Sequence, residues 1–230
     1  FTLGDVSGKG VPASLFMAVT RAVFRTVSSH ESMPDRIMTS INMTMGEMNK
    51  THMFVTLFVG VLDLPTGHLH YCNAGHDAPL LLGTEAHELQ CDSNIPVGFM
   101  PSWQYSMQET DIPQGTTLFL FTDGLTEAMD INYEQFQMDR VMEVAQQALA
   151  QRQLEPKQII SMMTEAVHQF VGDAEQSDDL TMMAIQYNKP QCTFKMQKSI
   201  TLNNDIQEVP QLTDFVNEVC KSVELDKNTT

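Results

Sequence analysis

Basic residues are scarce in this chain: 13 lysines and arginines stand against 29 aspartates and glutamates, for a formal net charge of -16. That deficit argues against a nucleic-acid partner and against an anionic membrane surface, both of which select basic patches. Cysteine is scarce as well. Cys72, Cys91, Cys192 and Cys220 are scattered with no CxxC pair. Neither a disulfide framework nor a cysteine-rich zinc site is expected, and reduced thiols in a cytosol are the simplest reading. Long apolar runs are missing: a stretch such as 57–62 falls far short of the ~20 residues a membrane-spanning helix needs, and no signal peptide is visible. The initiator methionine is missing too, so the expectation is a fragment whose upstream portion, including any sensor or membrane segment, is out of view. What is present is an ordinary globular balance, 42% hydrophobic and 18% charged residues, enough to bury a core.

Periodicity divides the chain. Residues 1–3 read as the stub of a buried strand and 4–10 as a glycine-rich turn. Pro12 fits the first turn of a helix reaching about Ser28, with Leu15, Phe16, Val19 and Val23 at helical spacing. A second helix is expected over 32–49, its stripe formed by Ile37, Met38, Ile41, Met45 and Met48. The apolar run 54–62, a turn at 63–67 and a return strand at 68–74 predict a hairpin. Short strands follow near 79–82, 87–90 and 104–110, then a strongly apolar strand at 116–121. Helices over 134–150 and 156–170, a loop at 172–177 and a last strand at 180–187 complete the pattern. Helices, an antiparallel run and further helices predict an α+β layered fold.

Three carboxylate positions recur where an apolar strand meets a loop: Asp5, Asp123, and the pair Asp178 and Asp179. A buried carboxylate is costly unless it is paired, hydrogen-bonded or bound to metal. Singly, each reads as a turn or cap residue. Together they could converge on one end of a sandwich, and an all-oxygen cluster suits Mg²⁺ or Mn²⁺ rather than zinc. The glycine-rich segment 4–10 is one residue short of a nucleotide-binding P-loop, and Gly10 stands where that motif needs a hydroxyl.

The segment Gly4-Asp5-Val6-Ser7-Gly8-Lys9-Gly10-Val11-Pro12-Ala13 closely resembles a signature of the protein phosphatase 2C-like (PPM) family in its bacterial stage-II-sporulation-E type. Asn73-Ala74-Gly75-His76, Ile95-Pro96-Val97-Gly98, Thr122-Asp123-Gly124-Leu125-Thr126-Glu127-Ala128 and Asp178-Asp179-Leu180-Thr181 follow in the family's order. The resemblance covers residues 1–189. It implies a four-layer αββα sandwich, here missing its first strands, with a site for two Mn²⁺ or Mg²⁺ ions between the sheets. It implies hydrolysis of phosphoserine or phosphothreonine on a protein partner such as an anti-sigma-factor antagonist, by a metal-activated hydroxide. Carried over by position, Asp5 resembles the ligand bridging both metals, the Val6 carbonyl a backbone ligand, and Asp123 and Asp178 the ligands from other strands, with Asp179 as the alternative to Asp178. The chain has no nucleophile elbow and no cysteine-phosphatase loop, which agrees with chemistry that needs no protein nucleophile. The family's upstream acidic strand lies before Phe1, so a weakly active or inactive fragment is expected, with a homodimer through the open sheet edge. A linker and the start of a histidine-kinase-like ATPase domain of the anti-sigma kinase type are expected over 190–230.

Other residues admit two readings each. Lys9 could meet a substrate phosphate or be a surface lysine in a turn. His76 could orient substrate or bond to backbone at a strand end. His68 and His70 alternate on one strand face as zinc ligands do, but no third ligand is near in sequence, so a solvated face is expected. Glu127 could support the metal ligands from behind or lie in the first turn of a helix. Met38 and Met45 are expected in the core, with Met43 left open between core and an adaptable surface. Alternatives to the phosphatase are a non-catalytic partner-binding module of the same fold, or a hydrolase of small phosphoesters.

Overall fold

The computed structural model describes residues 1–49, 53–151, 155–176 and 178–189. The expected linker and ATPase-like start over 190–230 lie outside the described residues. In chain order the elements are β1 (Thr2–Val6), α1 (Val11–Ser28), α2 (Pro34–Met48), β2 (Val55–Asp63), β3 (His68–Ala74), β4 (Leu80–Leu82), β5 (Ala86–Glu88), β6 (Gln108–Asp111), β7 (Thr117–Phe121), α3 (Gln137–Leu149), α4 (Pro156–Val171) and β8 (Met182–Gln186). Two antiparallel sheets form, one ordered β1-β2-β3-β6 and the other β5-β4-β7-β8.

Strand alternation builds three apolar layers. On the first sheet Val55, Leu57, Val59, Cys72 and Ala74 face outward onto Ala13, Ile37, Met38, Ile41 and Met45 of α1 and α2. Phe58, Leu69 and Tyr71 face inward and meet Leu81, Leu118 and Leu120 of the second sheet. Phe119 and Phe121, one residue out of phase with Leu118 and Leu120, face outward onto Val141, Ala145, Ile159, Met163 and Val167 of α3 and α4. Strands covered on both faces read as continuous apolar runs, which is why 54–62 and 116–121 lack clear alternation. Each fully buried side chain of this size contributes about 1.5–3 kcal/mol. The layers are therefore αββα, as the resemblance implies. Met38 and Met45 are buried in the outer layer, while Met43 is exposed.

Local chemistry sets the helix starts. Gly10 precedes α1 at φ +80°, a backbone state that glycine adopts without strain, and proline occupies the first turns of α1, α2 and α4. Glu155 and Gln158 cap α4 reciprocally. Some boundaries differ from expectation. β1 continues through Val6 and takes in Gly4 and Asp5, because these residues pair with Leu57 and Thr56. α3 begins at Gln137 because the preceding segment closes a bridge between Met129 and Gln135. Among the described residues no helix is long and apolar enough to cross a membrane.

Candidate metal centre

Asp5 lies inside β1, opposite Thr56 of β2. The Ser7 N–H donates to the Phe54 carbonyl at 2.9 Å, and the Phe54 N–H donates to Ser7 Oγ at 2.8 Å. That reciprocal pair closes the ladder just beyond Asp5 and fixes where the chain leaves the sheet. The serine of the first motif is thus a strand terminator.

Asp123 and the pair Asp178–Asp179 belong to two chain segments fastened together at one end of the second sheet. Thr122 Oγ1 donates to the Asp179 carbonyl at 3.0 Å and accepts from the Thr181 N–H at 3.1 Å. The Thr122 N–H donates to the Thr181 carbonyl at 3.0 Å. Gly124 passes so close that a Cβ there would collide with the Asp179 carbonyl oxygen. The threonine and glycine flanking Asp123 therefore serve the approach of the two acidic segments.

Asp5, Asp123, Asp178 and Asp179 line one cleft of about 720 Å³, together with Val6, Lys9 and Thr56. The first sheet supplies Asp5; loops at the end of the second supply the others. Burial, reinforced by the charges of Asp123, Asp178 and Asp179, pushes the Asp5 carboxyl up to about 6, against a hydrogen bond from the Val6 N–H. Of the adjacent pair, Asp178 acts on Asp5 more strongly than Asp179 does. Four acidic side chains around a single cleft repel one another, and a divalent cation relieves that repulsion while using only oxygen donors. The donor set fits Mg²⁺ or Mn²⁺.

Lys9 stands at the rim, its Nζ 3.3 Å from Asp178 Oδ1, with most of the side chain in solvent. His76 lies beneath the cleft rather than in its wall. It is buried, and its Nδ1 is 3.1 Å from Thr56 Oγ1, so it props the strand position opposite Asp5. Burial pushes its imidazole down to about 4, keeping the ring neutral at pH 7. The Asn73 side chain holds His76 at both backbone ends: Oδ1 accepts from its N–H and Nδ2 donates to its carbonyl, each at 2.8 Å. Pro96 packs against Gly75, and Val97 bridges to Val55. The second and third motifs are scaffolding for the turn that carries His76.

Asp77 was missed by the sequence reading. Burial and the charges of Asp123 and Glu127 raise its carboxyl, a hydrogen bond from Thr126 opposes them, and its Oδ2 is buried without a hydrogen-bond partner. The available signal was its place immediately after His76, where a carboxylate shares the fixed turn. Glu127 does not begin a helix. It is exposed in a turn whose N–H donates to the Asp123 carbonyl at 2.7 Å.

The stage II sporulation protein E (SpoIIE) family matches residues 1–188. Protein IcfG of Synechocystis sp. is 29% identical over 215 residues, covering 81% of this chain and 33% of that protein. The phosphoserine phosphatase RsbU of Bacillus subtilis is 23% identical over 133 residues, covering 56% of this chain and 39% of its own length. The chain thus spans well under half the length of these curated relatives. Among solved structures, the RsbU and RsbW domains of Rv1364c from Mycobacterium tuberculosis superpose with a TM-score of 0.68 at 21% identity, over 96% of this chain and 59% of that one. The SiaA-PP2C domain of Pseudomonas aeruginosa gives 0.69 at 21% identity, over 81% and 75%. With five motifs in order, acidic segments from both sheets in one cleft and a family match across nearly all the described residues, the chain belongs to the stage II sporulation protein E family and has the protein phosphatase 2C-like fold.

Proposed function

We propose that this chain is a metal-dependent protein serine/threonine phosphatase domain acting on a phosphorylated signalling protein, an anti-sigma-factor antagonist being the partner type the resemblance implies. The observation that carries the reading is the convergence of Asp5 with Asp123 and Asp178 on one cleft, at an electrostatic cost visible in the raised Asp5 carboxyl. Asp5, Asp123, Asp178 and the Val6 carbonyl are the proposed ligands, with Asp179 as the alternative to Asp178. When bound, two Mn²⁺ or Mg²⁺ ions would supply an acidified water and neutralise phosphoryl charge. The chain's own residues do the rest. Thr122 and Gly124 hold the acidic segments of Asp123 and Asp178–Asp179 together at one end of the second sheet. His76, neutral and buried, stiffens Thr56 behind Asp5. Lys9, paired with Asp178 at the rim and largely in solvent, would meet an incoming phosphate as a point charge.

A cytoplasmic setting belongs to the same proposal, in keeping with Cys72 and Cys91 being free. So does a homodimer through the open edge of β1, which pairs with β2 on one side only among the described residues. So, too, does an ATPase-like segment after residue 190.

The test is hydrolysis of a phosphoserine protein with Mn²⁺ present, by a chain extended upstream to restore the expected N-terminal strands. Asp123→Asn removes a charge and keeps the shape. Turnover should fall more than about 100-fold, beyond the 10–100-fold typical of losing a residue that only supports a ligand, with the circular dichroism spectrum unchanged. Full activity in a folded variant would remove Asp123 from the site. A chain extended upstream to restore the expected acidic strand that binds the phosphoprotein without hydrolysing it would favour the non-catalytic module, and faster turnover of small phosphate esters would favour the small-substrate hydrolase.

A further inference from the structure

A second cluster of metal-ligating side chains lies away from the acidic cleft. His68 and His70 sit on β3, and register puts them directly opposite Asp111 and Glu109 of β6. All four share the outer face of the first sheet, since the intervening Leu69 and Tyr71 point into the core between the sheets. The third donor that the sequence around His68 and His70 lacked comes from β6, about 40 residues further on in the chain and adjacent only after folding. This corner is remote from Asp5. His68 pairs with Asp63 at the far end of β2, whereas Asp5 pairs with Thr56 near its start.

We propose that His68, His70 and Glu109 form a binding site for a borderline divalent cation such as Zn²⁺, with Asp111 orienting His68. Three observations carry it. First, one donor atom from each of the three residues falls within 4.8 Å of the others. His68 Nε2 and His70 Nδ1 lie 3.6 and 3.7 Å from Glu109 Oε2. Tetrahedral zinc with bonds of about 2.1 Å separates its ligand atoms by about 3.4 Å, so small side-chain adjustments complete the site. Second, His68 Nδ1 is 2.7 Å from Asp111 Oδ1. A ring nitrogen that donates to a carboxylate leaves the other nitrogen as the lone-pair donor, which is how metal-bound histidines are usually held. Third, His70 Nδ1 is buried and has no hydrogen-bond partner. A ring nitrogen withdrawn from water, with no hydrogen bond and only the Glu109 carboxylate facing it at 3.7 Å, is placed as a metal ligand would be.

Two imidazoles and one carboxylate select Zn²⁺ over Mg²⁺, so this site differs chemically from the all-oxygen cleft. Three protein donors leave a fourth position for water or an added ligand. The ion would fasten β6, a short edge strand bonded only to β3 among the described strands, onto the sheet.

The experiment titrates Zn²⁺ into the metal-stripped full chain at pH 7.5 against a chromophoric chelator, with millimolar Mg²⁺ present to fill the acidic cleft. One tightly bound equivalent is expected in the wild type and in Asp123→Asn. It should weaken more than about 100-fold in His70→Ala and His68→Gln, and about 10–100-fold in Asp111→Asn. Co²⁺ should give an intense tetrahedral visible band that Zn²⁺ bleaches and that His70→Ala lacks. The substituted rings are about a third exposed (33%), and circular dichroism verifies folding. Absence of the Zn²⁺ equivalent, unchanged affinity in both histidine variants, or its loss in Asp123→Asn instead would each overturn the site.

Discussion

At neutral pH the Asp5 carboxyl is ionised, partly buried and surrounded by the charges of Asp123, Asp178 and Asp179. Its folded-state value of about 6 lies above the ordinary 3.8, so the fold binds this proton more tightly than the unfolded chain does. By linkage, the metal-free protein loses stability as pH rises from about 4 through 6 on account of this group. His76 acts in the opposite sense. Its folded value of about 4 lies below the ordinary 6.5, so the unfolded chain takes up the proton first and stability falls as pH drops from 6.5 towards 4. The two slopes partly cancel in wild-type melting curves and separate in variants. Asp5→Asn should raise the metal-free melting temperature at pH 7.5 and raise it much less at pH 4.5, where Asp5 is protonated in the fold and only its unfolded form is ionised. Equal shifts at both pH values would mean that the carboxylates do not repel one another across the cleft. Lys9 gives a milder effect. Lys9→Met should raise KM for a phosphoprotein several-fold with little change in kcat, and an unchanged KM would leave Lys9 as a surface partner of Asp178.

At the scale of elements, the junction between β7 and β8 governs the site. Two backbone segments meet where Thr122 bonds the Asp179 carbonyl and the Thr181 N–H, and Gly124 leaves room for the Asp179 carbonyl. A methyl group at Gly124 meets backbone, not a yielding side-chain tip. Gly124→Ala should therefore cost about 1–3 kcal/mol, the usual penalty of overpacking, and should lower turnover by displacing Asp178 and Asp179. Chemical denaturation and phosphatase assays on the same preparation check both. A variant with full stability and full activity would show that the two segments have slack. These local couplings also explain what was legible beforehand. Ile37, Met38, Ile41 and Met45 repeat at helical spacing, so α2 was readable, and the β2–β3 hairpin announced itself through its turn. The motif aspartates stood out because three such positions recur where an apolar strand meets a loop and lie within motifs that follow in the family's order. Asp77 did not, since its neighbours Asp123 and Glu127 are distant in sequence. Glu109 and Asp111 escaped for the same reason: only the pairing of β3 with β6 brings them to His68 and His70.

Across the whole molecule, the three apolar clusters and the acidic cleft do different work. The clusters of outer and inner layers contain none of the cleft carboxylates, so chelation should abolish turnover without unfolding the chain. The cleft, however, spans the sandwich: Asp5 belongs to the first sheet, and Asp123 and Asp178 lie on loops at the end of the second. A cation bound to all three ties the sheets together and has no equivalent site in the unfolded chain. Its binding free energy therefore adds to stability, by about 2.7 kcal/mol at a free concentration 100 times the dissociation constant. For a domain of this size that corresponds to a rise of roughly 5–11 °C in melting temperature. Titrating Mn²⁺ in a thermal-shift experiment should show this rise in the wild type, concentration-dependent and reversed by chelator. Asp5→Asn and Asp123→Asn, one on each side of the cleft, should each reduce it to a small remnant. His70→Ala should keep it, because that residue lies on another corner of the first sheet. If the two aspartate variants keep the full rise, manganese binds elsewhere and the sheets are not joined through these carboxylates. If only one loses it, the ion is held from a single sheet.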